Sequence, residues 1–365
     1  MTSNQNSTSS PPGTAGVSEA YTYEQLFPMV KATLEAGISV LILGAPGIGK
    51  STLAAALAKH MDKPLIDIRL AQKDPAELGG VYFPNRDTKT LELLPPAWVK
   101  KACAEPCLVF LDEINAAVTR LHQAAAYQIV LEKRIGDYAF HPGTTVLAAG
   151  NREDDQSIVT PLSAALCNRF AHFEMRPEAD SWLGWAADHG IHEHIMAFIR
   201  TYGEKVLFEA SSEHAFPTPR SWEMASRVMN RVHPDDCRRI VAACVGMPMA
   251  DRFCKYLDLY RRVNAEKIIA GQETIDFGRN AEPSFLYAAV FAVAGFLAHA
   301  EIPDQHLANI VHFLRSPGLG AEYQILLLRQ LRSRAPALLD RLKTVAAFRE
   351  LAAQIINLRA ALYLS

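Results

Sequence analysis

Residues 44 to 51 read GAPGIGKS and fit the phosphate-cradling pattern G-x-x-x-x-G-K-[ST] at every fixed position. The pattern constrains the fold because it works only where a strand ends and a helix begins. Gly44, Gly47 and Gly49 let the backbone curl so that successive N–H groups point inward, where a Cβ would obstruct an anion. Ala45, Pro46 and Ile48 complete the loop, and Lys50 adds a point charge for β- and γ-phosphates. Ser51 offers a hydroxyl to Mg²⁺, and Thr52 opens a helix to His60 whose positive end faces the anion. Just upstream, Ile38 to Leu43 (ISVLIL) is the short apolar run of a buried parallel strand. A glycine-rich turn with no ligand is the plain alternative, and the strand, loop and helix context weighs against it.

From Tyr21 to about Met175 short apolar runs alternate with helical patterns, as in a parallel sheet flanked by helices. Candidate strands are Ile38 to Leu43, Leu65 to Leu70, Cys107 to Leu111, Thr145 to Ala149 and Ala171 to Met175. After Arg176-Pro177 helical periodicity takes over, with helices expected at Trp182 to His189, His192 to Tyr202, Arg220 to Val232, Cys237 to Val245 and Asp251 to Val263. Polar residues from Ala270 to Ser284 then link to a final helical stretch, Phe285 to Ser365. With 365 residues, more than one domain is expected. The expected division is a disordered tail over 1–18, too polar to offset its ordering entropy, an α/β nucleotide-binding domain over 19–175, a helical lid over 176–275 and a C-terminal helical region over 276–365.

Charged residues make up 21% and the formal net charge is −2, which gives no global electrostatic reason to bind nucleic acid or an anionic membrane. Six cysteines without C-x-x-C spacing, and no apolar leader, read as free thiols in a reducing cytoplasm. The longest apolar stretch, Phe285 to Ala298, is shorter than the roughly 20 residues a bilayer span needs and reads as a buried core helix.

Further chemistry follows in chain order. Leu108 to Glu113 (LVFLDE) is an apolar strand delivering two acids, the Walker B arrangement: Asp112 would hold Mg²⁺ and Glu113 would polarise the attacking water. Leu147 to Arg152 (LAAGNR) is another strand ending in an amide, so Asn151 is a candidate γ-phosphate sensor as well as an ordinary turn residue. In PLSAALCNRF, Arg169 follows a short helix and is a candidate arginine finger for a neighbouring subunit's nucleotide, or else a helix-terminal surface arginine. In FPTPRSWEMAS, Arg220 starts a helix, with Thr218 as cap and Pro219 in the first turn; it would reach a γ-phosphate, or lie free on the surface. The histidines of HGIHEH (His189, His192, His194) read as surface polar residues, leaving Mg²⁺ as the metal.

In this order, GAPGIGKS, LVFLDEIN, LAAGNR, LCNRF and TPRS resemble the AAA+ ATPases over roughly Tyr21 to Val263. The DEIN form with a following hairpin, Leu131 to Val146, resembles the MoxR branch. The resemblance implies a P-loop AAA+ α/β core with a five-stranded parallel sheet, a helical lid, and a homo-hexameric ring with ATP and Mg²⁺ between subunits. It also implies chaperone-like remodelling of a protein client, for instance one with a von Willebrand factor A domain. Lys50, Ser51, Asp112, Glu113, Asn151, Arg169 and Arg220 take the roles argued above. Gln72 to Ala102 resembles an insert of this branch, in which Tyr82 and Phe83 either grip a polypeptide in a pore or anchor the insert on the sheet. Asn168 departs from the Asp that many relatives have before the finger, and the chain after about residue 275 matches no accessory domain. The competing readings are a nucleic-acid motor, for which Arg329 to Arg334 offer a basic cluster, and a nucleotide switch with negligible turnover, against which both hydrolytic acids stand.

Overall fold

A computed structural model describes residues 19–116, 119–152, 160–211, 214–229, 231–232, 236–278 and 281–363; the expected tail over 1–18 lies outside them. Two compact units divide between Pro177 and Glu178.

The first unit contains, in order, α1 (Tyr23–Glu35), β1 (Val40–Leu43), α2 (Lys50–His60), β2 (Leu65–Arg69), α3 (Pro75–Gly79), β3 (Val81–Asn85), β4 (Thr90–Leu94), α4 (Ala97–Ala104), β5 (Leu108–Asp112), α5 (Arg120–Tyr127), β6 (Arg134–Ile135), β7 (Tyr138–Ala139), β8 (Thr145–Gly150), α6 (Ala164–Cys167) and β9 (Ala171–Glu174). Helix α1 starts at a capping box in which Thr22 and Gln25 each accept the other's backbone N–H, and it buries the Leu26, Val30 and Leu34 stripe. All five expected strands join one parallel sheet, in the order β2-β5-β8-β1-β9. Strands β5 and β8 are buried along their whole length, which is why they read as continuous apolar runs rather than alternating ones. Registers Leu43↔Gly150 and Leu111↔Ala148 set the carboxyl ends of β1, β5 and β8 side by side, where open α/β sheets bind ligands.

Two antiparallel hairpins leave this sheet. In β3–β4, Val81 pairs with Leu94 and Asn85 with Thr90. Tyr82 and Phe83 are 61% and 62% exposed, so the reading that anchors these rings on the sheet does not hold. The hairpin's base is fixed instead by Leu93, whose backbone carbonyl accepts from the Tyr138 hydroxyl at 3.2 Å. Strands β6 and β7 form the second hairpin, inside the expected 131–146 span.

The second unit is helical: α7 (Ala179–Asp188), α8 (Glu193–Tyr202), α9 (Glu204–Leu207), α10 (Pro219–Met229), α11 (Cys237–Val245), α12 (Met247–Arg261), α13 (Ala265–Ile269), α14 (Pro283–His299), α15 (Leu307–Leu314), α16 (Ala321–Arg334), α17 (Pro336–Leu342) and α18 (Ala346–Tyr363). Helix α12 begins four residues before the expected Asp251, because Gly246 caps it at φ +85° and Pro248 sits in the first turn, where a missing N–H costs nothing. One hydrophobic core runs from Ala179 to Leu351. At its centre Trp222 meets Phe198 and Phe253, each with ring centroids 5.7 Å away, and its indole N–H donates to the Val206 carbonyl at 2.7 Å. Helix α14 packs on α8, α12, α13 and α16, which accounts for its uniform apolarity. Among the described residues no helix is long and apolar enough to cross a membrane.

The expectation that the HGIHEH histidines lie on the surface fails for two of them. His192 caps α8 and its N–H donates to Ser226 Oγ at 2.7 Å, while the His194 ring packs edge-on to Tyr260 at 4.3 Å. Burial, then His192, push the His194 imidazole down to about 4, with Glu193 opposing and Arg261 adding to the depression.

Candidate nucleotide site

The loop between β1 and α2 owes its shape to its glycines. Gly47 and Gly49 sit at φ +76° and +105°, which a side chain would strain. At Gly44 space decides: a Cβ would lie 2.6 Å from the Met175 carbonyl oxygen and 2.7 Å from Ile48 Cδ1. Gly49 caps α2 without a side-chain hydrogen bond, so the helix starts at Lys50, ahead of the expected Thr52, and its first N–H groups have no side-chain cap.

Lys50 is 8% exposed. Its ammonium donates to the carbonyls of Gly44 (2.5 Å) and Ala45 (2.9 Å) and to Asn151 Oδ1 (3.0 Å), so it lies under its own loop and reaches the end of β8. Ser51 Oγ donates to Asp112 Oδ2 at 2.9 Å. Asp112, at the end of β5, is 9% exposed, and its Oδ1 accepts the Glu113 N–H at 2.9 Å. On the adjoining strand, burial and the Asp112 carboxylate push the Asp67 carboxyl up, with Arg69 opposing. The half-buried Glu113 takes a left-handed backbone, φ +56°, which turns the chain sharply off the strand.

Asn115 belongs to this cluster as well; it is the last residue of the DEIN form quoted from the sequence, which gave it no role. Its side-chain amide donates to the Asn151 carbonyl at 2.8 Å and accepts the Asn151 N–H at 3.0 Å. The available signal was an amide just beyond one buried strand and a second amide just beyond another.

Lys50–Asn151 and Ser51–Asp112 thus form two hydrogen-bonded pairs, set side by side because Lys50 and Ser51 are neighbours in the chain, with Glu113 adjoining through Asp112. Arg169 follows α6 with its side chain exposed and takes no part in those bonds. Arg220 belongs to the second unit, as the exposed second residue of α10. That helix opens with a reciprocal pair in which Thr218 Oγ1 accepts the Ser221 N–H at 3.0 Å and Ser221 Oγ accepts the Thr218 N–H at 2.7 Å. The fit to a cation is good: a hydroxyl and a carboxylate oxygen 2.9 Å apart are hard donors suited to Mg²⁺.

Residues 40–177 match the family model described as "ATPase family associated with various cellular activities (AAA)". The chain carries an AAA domain. An uncharacterized AAA domain-containing protein of Schizosaccharomyces pombe is 28% identical over 135 residues, 35% of this chain. The chain spans only 16% of that relative's length. A solved structure of a candidate ATPase from Cytophaga hutchinsonii covers 62% of this chain and 82% of its own, at 18% identity and a TM-score of 0.35. The AAA domain contains the loop, both acids, Asn115, Asn151 and Arg169, and leaves Arg220 outside.

Proposed function

We propose that this protein hydrolyses ATP as a subunit of a MoxR-like homo-oligomeric ring and uses the energy to remodel a protein client. The reading rests on one observation: Lys50, Ser51, Asp112 and Asn151 converge at the carboxyl ends of three adjacent strands beneath a loop whose glycines leave room for an anion. The loop amides of residues 44–52 bind the phosphates, with Lys50 leaving its carbonyl partners to meet the β- and γ-oxygens. Ser51 and Asp112 would hold Mg²⁺, which would supply positive charge to those oxygens when bound. Glu113 takes the proton of the attacking water, and Asn151 orients that water and the γ-phosphate between Lys50 and the acids.

Arg169 is exposed and permanently charged, so it serves as the finger for the adjoining subunit, in a ring expected to be hexameric. Arg220, rigidly started by the Thr218–Ser221 pair, reports nucleotide state to the helical unit. A protein client, such as one carrying a von Willebrand factor A domain, is favoured over nucleic acid by the β3–β4 hairpin. Val81, Tyr82, Phe83, Leu91 and Leu94 are all exposed there, an apolar surface suited to polypeptide rather than phosphate. A cytoplasmic setting accords with six free thiols whose ionisation burial makes harder.

The test is Glu113→Gln in the full chain. ATP affinity should stay within about threefold while turnover falls by at least ~100-fold. Wild-type turnover in that variant would remove Glu113 as the base.

A further inference from the structure

Two asparagines at the ends of neighbouring strands make a closed pair. Asn115 is 6% exposed and gives its whole carboxamide to one residue's backbone: Nδ2 donates to the Asn151 carbonyl at 2.8 Å and Oδ1 accepts the Asn151 N–H at 3.0 Å. Such a two-point pairing fixes the position and the rotation of residue 151 together. Ile114 N–H also donates to the Ala149 carbonyl at 2.9 Å, so the β5–β8 ladder continues past the acids. From the far side, the Asn115 carbonyl accepts the Thr160 N–H at 2.7 Å.

Gly150 completes the arrangement. A Cβ there would lie 2.6 Å from Asn115 Oδ1 and 3.2 Å from Nδ2, so only glycine admits the carboxamide. The side chain held in place by this clamp reaches Lys50, with Asn151 Oδ1 3.0 Å from the ammonium. A continuous chain of contacts therefore runs from the strand bearing Asp112 and Glu113, through Asn115 and Asn151, to the lysine of the phosphate loop.

We infer that Asn115 is a positioning residue for ATP hydrolysis, clamping the Asn151 backbone so that its amide stays aligned between Lys50 and the acids. The inference rests on the ATPase reading above. Both polar atoms of the Asn115 side chain are committed to the Asn151 backbone, so its removal acts on alignment, and a misplacement of about 1 Å can cost on the order of 100-fold in rate. Aspartate keeps the shape and the bond to the Asn151 N–H, but it has no donor for the carbonyl and sets a charge against it.

The test measures ATP affinity with a fluorescent ATP analogue, single-turnover hydrolysis and thermal melting in the full chain for Asn115→Ala, Asn115→Asp, Gly150→Ala, Asn151→Ala and the Asn115→Ala/Asn151→Ala double variant. Asn115→Ala, Asn115→Asp and Gly150→Ala should each lose at least ~10-fold in turnover, with affinity within about threefold of wild type. The double variant should turn over no more slowly than Asn151→Ala alone, because Asn115 acts only through Asn151. Losses that multiply in the double variant, or full turnover in Asn115→Asp, would overturn the role. Should Asn115→Ala fail to fold, the near-isosteric aspartate and Gly150→Ala perturb the same clamp and decide the matter. A wild-type chain that binds ATP without hydrolysing it would instead sink the ATPase reading beneath the inference.

Discussion

Glu113 occupies a left-handed backbone directly after β5, a conformation that costs a residue with a Cβ roughly 1–2 kcal/mol. Two bonds hold it there: its N–H donates to Asp112 Oδ1, and its carbonyl accepts the Ala116 N–H at 3.0 Å. Glycine incurs no such cost, so Glu113→Gly should raise stability by about 0.5–1 kcal/mol while turnover is lost. Urea unfolding read beside ATP hydrolysis checks both, and a variant less stable than wild type would mean that the turn is not strained. Lys50, Ser51, Asp112, Glu113 and Asn151 could be nominated from the sequence because each occupies a fixed place in a local pattern. Asn115 could not. Its partner lies 36 residues away, and the two meet only once β5 and β8 have aligned with Leu111 opposite Ala148.

Elements followed the same division between local and distant causes. The five sheet strands were legible because burial on both faces writes an uninterrupted apolar run. Strands β3 and β4 carry apolar residues too, yet Val81, Phe83 and Leu91 stay exposed, and no composition distinguishes a run that is covered from one that is not. Helix α14 shows how a neighbour can reverse a propensity. Alanine in place of a helical glycine usually adds about 1 kcal/mol. At Gly295, however, a Cβ would come 2.7 Å from both carboxylate oxygens of Glu193. That carboxylate accepts from Arg334 Nη2 at 2.9 Å and from the Tyr260 hydroxyl at 3.4 Å. Gly295→Ala should therefore destabilise the chain by roughly 1–2 kcal/mol in urea unfolding; a gain would mean that α8 and α14 have slack between them.

For the whole molecule, the depressed His194 imidazole ties stability to pH. Its ordinary value is near 6.5, so the unfolded chain takes up a proton before the folded one does. Its contribution is present above about 6.5 and is lost as pH falls towards 4. His192, also held down by burial, acts in the same sense, with Glu193 opposing and Arg334 reinforcing. Replacing His194 with Gln should flatten the fall in unfolding free energy between pH 6.5 and pH 4, compared with wild type; equal slopes would assign the acid sensitivity to other groups. The burial behind this was illegible in HGIHEH, since it comes from α10 and α12, which follow in the chain.

The packing of α14 also governs how the protein can be divided. A chain stopped at residue 275 would keep α8 and α12 but strip away Ala289, Val290, Phe291 and Val293, which fill the core those helices share. The last ninety residues are thus structural masonry for the helices before them rather than a detachable accessory. A chain shortened in this way would bare apolar faces on the very unit that carries Arg220.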